Sequence, residues 1–259
     1  MFGEHPERRP AIVAGASSGI GAETAKALAA AGFPVALGGR RLELCEELAT
    51  SIRADGGEAV AHRLDVTDSD SVAEFAAKAA ADLGDPEIVI SNAGLVGPGT
   101  LYEIETERFV RELDVNLVGA HRLVRAFVPG LVERRRGDIV FVSSDVAVRP
   151  RPHMAAYSAS KWGLEGMANA LRMELEETGV RASIVRPGPT WSEMGSDWGA
   201  DEGAFVLNQW VKWGLARHGH FLHASAIAQA ITTIVSAPRG VHLSPVDVNP
   251  EAPVQGGAS

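Results

Sequence analysis

The chain contains one cysteine, two tyrosines and no long apolar run. A single thiol, Cys45, excludes an internal disulfide framework and a cysteine-based metal cluster. Lying among leucines and glutamates in a helical pattern, it reads as a buried structural thiol. No uninterrupted apolar segment approaches the roughly 20 residues needed to cross a bilayer. The N-terminal stretch also lacks the apolar segment of a secretory signal. No membrane association is therefore expected, and the cytoplasm is the expected compartment. Positive charge is in deficit, with 24 Lys and Arg against 33 Asp and Glu and a net charge of −9, which argues against a nucleic-acid partner. The one basic cluster, Arg134-Arg135-Arg136, falls where a helix should end and cations complement the helix dipole. No linker rich in Pro, Gly or Ser interrupts residues 8–249, and no repeat is visible, so one domain is expected there. A short polar tail, 250–259, follows it.

What is present is a regular alternation. Apolar strand-length runs stand at 11–14, 35–37, 59–64, 88–91, 138–143, 182–185 and 241–246. Helical patterns lie between them near 19–31, 41–55, 69–83, 106–134, 156–178 and 225–236. Continuous rather than alternating apolar strands indicate burial on both faces, as in a parallel sheet. Such alternation with right-handed crossovers predicts an α/β fold, a doubly wound Rossmann-type sheet of about seven strands with helices on both faces. One segment breaks the pattern. Residues 188–224 carry Trp191, Trp198, Trp210 and Trp213, four of the five tryptophans, with no clear strand. A long insertion after a late strand is where such folds place lids and substrate walls. The tryptophans are equally compatible with lining a pocket, packing this segment onto the sheet, or filling a subunit interface.

Gly15-Ala-Ser17-Ser18-Gly19-Ile20-Gly21 directly follows the first strand and opens the first helix. Glycines there permit a tight turn and close backbone approach to a pyrophosphate, while the helix start offers amide donors. The spacing differs from the P-loop and has no Gly-Lys-Ser/Thr ending, which argues against a nucleoside-triphosphate hydrolase. The end of the second strand selects between the two nicotinamide dinucleotides. It reads Gly38-Gly39-Arg40-Arg41, with no acid to bind ribose hydroxyls and two cations suited to a 2′-phosphate, so NADP(H) is favoured over NAD(H).

Tyr157-Ser-Ala-Ser-Lys161 sets a phenol and an ammonium four residues apart on one helix face. A phenol near its ordinary pKa of about 10 is a poor acid or base at neutral pH. A neighbouring ammonium is expected to lower that value toward the working range. The other tyrosine, Tyr102, has no basic neighbour at that spacing.

In chain order, the glycine loop 15–21, Asn92-Ala93-Gly94, Asn116, Ser144, Tyr157, Lys161 and Pro187-Gly188 resemble the short-chain dehydrogenase/reductase family in its single-domain form, over roughly 8–249. The resemblance implies an oxidoreductase that interconverts a carbonyl and a secondary alcohol with NADP(H). It implies that Tyr157 is the acid/base, that Ser144 hydrogen-bonds the substrate carbonyl, and that Lys161 binds the nicotinamide ribose and tunes the phenol. Asn116 would kink its helix and hold a water of a proton relay. Asp65 and Val66 would contact the adenine, and Asn92, Ala93 and Gly94 would border the cofactor ribose. Pro187 and Gly188 would begin the loop flanking the nicotinamide, with Thr190 and Ser192 following. Family members are commonly homodimers or homotetramers, often pairing through the two long helices at 106–134 and 156–178. Two departures stand out. The chain end after 241 lacks the frequent Asp-Gly-Gly segment, and Ser18 is not the basic residue some NADP(H)-dependent members carry. Arg40 is thus expected to carry most of the phosphate discrimination.

His153, Met154 and Trp191 are the candidate substrate contacts, and the aromatic content nearby points to an apolar carbonyl or alcohol. His218, His220 and His223 lie in a glycine-containing connection without a carboxylate set, so no metal is expected. Two other readings keep the fold: a non-catalytic dinucleotide-binding sensor or scaffold, and a nucleotide-sugar epimerase. The short C-terminal region leaves little room for the substrate domain an epimerase needs.

Overall fold

The computed structural model describes residues 4–6, 8–191, 198–215 and 218–252. Its strands are β1 (Ala11–Ala14), β2 (Val35–Gly39), β3 (Ala59–Arg63), β4 (Ile88–Ser91), β5 (Gly137–Val142), β6 (Val180–Pro187), β7 (Thr190–Trp191), β8 (Leu222–His223) and β9 (Val246–Val248). The helices are α1 (Gly19–Ala30), α2 (Leu42–Ala54), α3 (Ser69–Leu83), α4 (Thr106–Leu113), α5 (Gly119–Glu133), α6 (Ala155–Glu174), α7 (Ala200–Lys212) and α8 (Ala224–Ser236). Seven strands form one parallel sheet in the order β3-β2-β1-β4-β5-β6-β9. This is the doubly wound Rossmann-type sheet that the alternation predicts.

The apolar runs are continuous because neighbouring residues serve opposite layers. Ile12, Ala14, Ile139 and Phe141 pack with residues of α3, α5 and α6. Ala11, Val13, Val140 and Val142 pack with residues of α1, α2 and α8. The chain winds outward from β1 to β3, then returns to build β4 beside β1. Doubly wound sheets open a crevice at that reversal, beyond the carboxyl ends of the strands. Every site segment described below lies at those ends.

Three local features differ from expectation. The helix expected over 106–134 runs from Thr106 to Glu133 but is interrupted by a π-helical turn, Asp114–Val118. Such a turn shifts the phase of a helix and concentrates at functional sites. The last strand is Val246–Val248 rather than 241–246. Pro245 has no amide to donate, and the Ser244 hydroxyl instead accepts the Ile184 amide at 3.1 Å. Finally, the 188–224 segment contains α7 and a small parallel pair, β7 with β8. Among the described residues, no helix is long and apolar enough to cross a membrane. Cys45 is buried and free, and burial pushes its thiol up to about 11.

Candidate active site

The glycine loop is shaped by close approach. Gly15 takes a φ of +80°, a region that favours glycine. A Cβ at Gly21 would lie 2.1 Å from the Gly15 carbonyl oxygen and 2.6 Å from Asn92 Nδ2. Asn92, just beyond β4, donates that amide to the Gly15 carbonyl at 3.1 Å, and so ties the loop to the next strand. The start of α1 has no acidic residue in its first turn, and the Ser18 side chain caps none of its amides. Those donors therefore face the crevice with the helix's partial positive charge intact. Gly19 opens the helix at a φ of +55°, and Ile20 is partly buried against the α1-side core. Substituting Gly21 with Ala should drive the loop and β4 apart. We expect at least a tenfold loss of dinucleotide affinity, measured by calorimetry, because backbone rather than a flexible side chain blocks the methyl.

Two arginines follow β2. Arg41 donates to the Ser17 and Ser18 hydroxyls at 3.0 and 2.8 Å, so it braces the loop directly. Arg40 is exposed at the crevice edge, where its charge acts on Asp65. Burial works to raise the Asp65 carboxyl, but hydrogen bonds from the Thr67 hydroxyl and amide, with Arg40 and Arg63, hold it below the ordinary range. Val66 is buried against Gly119 at the start of α5. This arrangement fits the pyrophosphate of a dinucleotide: a side-chain-free cradle, open amides, and cations beside it.

The polar residues at the ends of β4 and β5 converge on α6. Asn116, in the π turn, is 1% exposed and wholly engaged. Its amide donates to the Leu95 carbonyl at 2.8 Å and to the Ser160 hydroxyl at 2.9 Å, and its oxygen accepts the Leu95 amide at 2.7 Å. Ser160 in turn donates to the Tyr157 carbonyl at 2.7 Å. Ser144 caps the short 3₁₀ turn Asp145–Ala147, accepting the Val146 amide at 3.3 Å. Tyr157 is buried in an apolar cluster with Val96, Val146 and Met154, against which Trp198 and Trp210 pack.

The electrostatics of the tyrosine–lysine pair differ from expectation. Burial pushes the Tyr157 phenol up to about 12; the Ser144 hydroxyl and Arg151 favour its anion, while Asp145 and Glu112 oppose it. Lys161 Nζ lies 5.6 Å from the Tyr157 ring centroid but donates to the Val142 carbonyl at 2.7 Å. Burial brings the ammonium itself down to about 8, against the raising influence of Glu165. Four-residue spacing puts both side chains on one face. It does not decide where a four-carbon stem sends its head, and here a strand carbonyl takes it.

Beneath this pair lies a network that sequence reasoning missed. Glu165, one turn past Lys161, accepts the Ser143 hydroxyl at 2.7 Å and both arms of Arg186 at 2.8 and 2.6 Å. It locks α6 onto the ends of β5 and β6. Arg151 pairs with Asp145 through a short contact and lies over the Trp210 ring, 4.8 Å from its centroid. The spacing of Glu165 from Lys161 was a visible signal; the pairing with Arg186 was not.

Pro187 ends β6, and the Gly188 amide donates to the Val248 carbonyl at 2.8 Å. Thr190 turns its hydroxyl back to the Gly188 carbonyl at 2.8 Å. Ser192 lies outside the described residues. Of the three candidate substrate contacts, Met154 touches the tyrosine cluster. His153 sits at a φ of +64° with its ring against Phe205, and Trp191 is 63% exposed against Phe221. A cavity of about 280 Å³ beside the 3₁₀ turn Asp145–Ala147 is lined by Asp145, Arg149, Arg151, Pro189, His218 and Asp247, among others. Among the described residues, no group of three or more His, Cys, Asp or Glu is placed to hold a metal.

A glycine cradle at the β1–α1 turn, with a tyrosine, lysine, serine and asparagine gathered on the same crevice of a doubly wound sheet, defines a Rossmann-type α/β protein. The family model described as short chain dehydrogenase matches residues 9–203, and the chain belongs to that family of oxidoreductases. It is 34% identical to the 2,3-dihydro-2,3-dihydroxybenzoate dehydrogenase of Bacillus subtilis, over 76% of this chain and 75% of that protein. It is 33% identical to a glycine betaine reductase of Emericella nidulans, over 93% of this chain but 18% of that protein. A short chain dehydrogenase of Pseudocercospora fijiensis shares 35% identity over 73% of this chain, which spans 62% of that relative. Among solved structures, an alcohol dehydrogenase from the archaeon Thermococcus sibiricus, complexed with 5-hydroxy-NADP, superimposes with a TM-score of 0.81 at 29% identity, covering 93% of this chain and 96% of that one. A metagenomic short-chain oxidoreductase in complex with NADP gives 0.79 at 31% identity, covering 94% and 98%.

Proposed function

We propose that this chain is an NADP(H)-dependent oxidoreductase that interconverts a carbonyl and a secondary alcohol. The observation that carries the reading is a buried phenol, Tyr157, with the Ser144 hydroxyl beside it and an ammonium 5.6 Å from its ring, on the crevice that the glycine loop opens. The loop 15–21, Arg40, Arg41, Asp65 and Asn92 would hold the dinucleotide, whose nicotinamide supplies or accepts the hydride. Ser144 orients the carbonyl and stabilises negative charge developing on its oxygen. Tyr157 delivers the proton to that oxygen in reduction and removes it in oxidation. Lys161 places a positive charge beside the ring from its anchor on the Val142 carbonyl. Asn116 clamps the Leu95 segment and, through Ser160, the backbone of Tyr157.

Residues 188–224 act as the substrate lid of a domain spanning 8–249. The apolar cluster of Val96, Val146 and Met154 that surrounds Tyr157 favours an apolar group next to the reacting carbon. The outer cavity, with Arg149, Arg151, Asp145 and Asp247, admits a polar distal end. Exposed Val110, Val118, Trp162 and Met173 on α4, the π turn and α6 support pairing of chains through those helices, as a homodimer or homotetramer. The cytoplasm, where Cys45 stays reduced, is the compartment we assign.

Following NADPH consumption across a carbonyl library tests the activity. Tight NADPH binding with no turnover of any carbonyl or alcohol would point instead to a sensor. For the cofactor choice, Arg40→Ala should weaken NADPH by about 10- to 100-fold, the scale of one charge-assisted hydrogen bond, and leave NADH nearly unchanged. Equal losses for both would remove Arg40 from that role. Arg41→Ala, which also unbraces Ser17 and Ser18, should weaken both.

A further inference from the structure

Glu112 is a buried carboxyl that the reaction as described does not use. It lies in the last turn of α4 with 1% exposure, and neither of its oxygens has a hydrogen-bond partner. An ionised group so placed is costly, and natural folds seldom keep one without a use. Its surroundings are those of the site. Phe109 and Glu112 follow the i, i+3 spacing of one α4 face, partly buried and buried respectively, and buried Asn116 follows in the π turn. The Gly97 amide favours the Glu112 anion without closing a hydrogen bond to it, and the next residue back, Val96, packs on Tyr157. Arg108, whose head lies against Gly97, also favours the anion from one turn earlier. The carboxylate in turn acts on the Tyr157 phenol.

We propose that Glu112 is a positioning residue for proton transfer, a buried carboxyl whose charge state sets how readily Tyr157 gives up its proton. The inference rests on Tyr157 being the acid/base, but the coupling itself belongs to the folded chain. Burial pushes the Glu112 carboxyl up to about 7, so it changes charge across neutral pH. The sign is fixed by like-charge repulsion. Neutral Glu112 makes the phenolate less costly, whereas ionised Glu112 makes it more costly, on top of the larger effect of burial. Rising pH thus strengthens the phenol as proton holder and delays the base needed for alcohol oxidation. The other charges facing Tyr157 are Asp145 and Arg151 from the segment after β5 and Lys161 from its own helix, and all three remain in the Glu112 variants.

The chain offers a clean probe, because Tyr157 and Tyr102 are its only tyrosines and Tyr102 is 85% exposed. With tyrosine labelled by ¹³C at Cζ in a Tyr102→Phe background, the Tyr157 resonance of the folded protein should show an inflection near pH 7. Glu112→Gln should abolish that inflection, Glu112→Asp should retain one, and Asp145→Asn should leave it in place. In alcohol oxidation, the Glu112→Gln midpoint of kcat/KM against pH should move to lower pH by on the order of half a unit. A purely structural role would instead lower activity or thermal stability at every pH without moving the midpoint. A wild-type resonance that stays flat through neutrality, or an inflection that survives Glu112→Gln, overturns the proposal. An inflection that behaves as expected in a protein that turns over no carbonyl or alcohol upholds the coupling and defeats the oxidoreductase reading instead.

Discussion

Replacing Tyr157 with Phe should lower turnover by about 10²–10⁴-fold, the range that a positioned acid/base contributes, and leave NADPH affinity within about twofold. The reasoning is local. The substitution removes one oxygen from a ring already packed among Val96, Val146 and Met154, so the cluster keeps its volume and its fit. The phenol, pushed to about 12 by burial, is neutral at working pH, so its removal takes no charge out of the folded chain. Folding stability should therefore hold, and thermal denaturation is the control. In the proposed reading the glycine loop, Arg40, Arg41 and Asn92 hold the dinucleotide, and the hydrogen bonds of Arg41 and Asn92 do not involve Tyr157. Single-turnover kinetics separate the outcomes: loss of the chemical step with intact binding places the proton on Tyr157, and undiminished turnover removes it from the reaction. A second arm uses Lys161→Met, which empties the Val142 carbonyl of its donor while keeping the stem. If Lys161 serves by its charge, this variant should lose activity with a shifted pH profile rather than a uniform decline.

Much of this was legible from residue order alone, for reasons that can be named. Strands β1 and β4 stand at 11–14 and 88–91 as read, because strands buried on both faces leave continuous apolar runs with sharp polar ends. The glycine loop was legible because its demand is steric, and a Cβ at Gly21 has nowhere to go. Legibility failed where an answer depends on which of several partners a side chain meets. Lys161 shares a helix face with Tyr157, yet its head goes to a strand carbonyl, and burial rather than the ammonium governs the phenol. Glu112 stands in a run of charged residues, Glu107, Arg108 and Arg111, that reads as a solvated helix. Only its phase with Phe109 and Asn116 hinted at the buried side. The last strand was misplaced because Val241-His-Leu looks like a strand, whereas Val241 is exposed and Ser244 stands in by side chain for the pairing.

Asp138 escaped notice for the same reason, and its removal should be the most damaging change to stability in the chain. It is the second residue of β5, is 1% exposed, and is paired in register with Arg181 on β6. Arg181 reaches its carboxylate twice, at 2.6 and 3.0 Å, and Arg9 reaches it through a shorter contact from the residues leading into β1. The two guanidiniums carry the link onward. Arg9 donates to the Val235 carbonyl of α8 at 2.7 Å, and Arg181 to the carbonyls of Ala237 and Val241 at 3.0 and 2.7 Å. One carboxylate thus pairs with two guanidiniums, a buried Arg9 and a largely covered Arg181, that hold the ends of three strands and of α8 together. Asp138→Ala would leave those cations facing each other in a dry site, a loss of about 3–5 kcal/mol for breaking a buried network on one side. For a chain of this size that corresponds to a fall in Tm of roughly 6–20 °C. Because the network lies at the amino ends of the strands, opposite the crevice, kcat per folded molecule at low temperature should be nearly unchanged. The decisive comparison is a triple replacement, Arg9→Leu with Asp138→Leu and Arg181→Met. It removes all three charges together, and should recover much of the loss because desolvation of the set is costly in itself. A loss below about 1 kcal/mol in Asp138→Ala, the level of an exposed pair, would mean that water or rearrangement compensates the cations, and the network would then not be what fixes the sheet to α8.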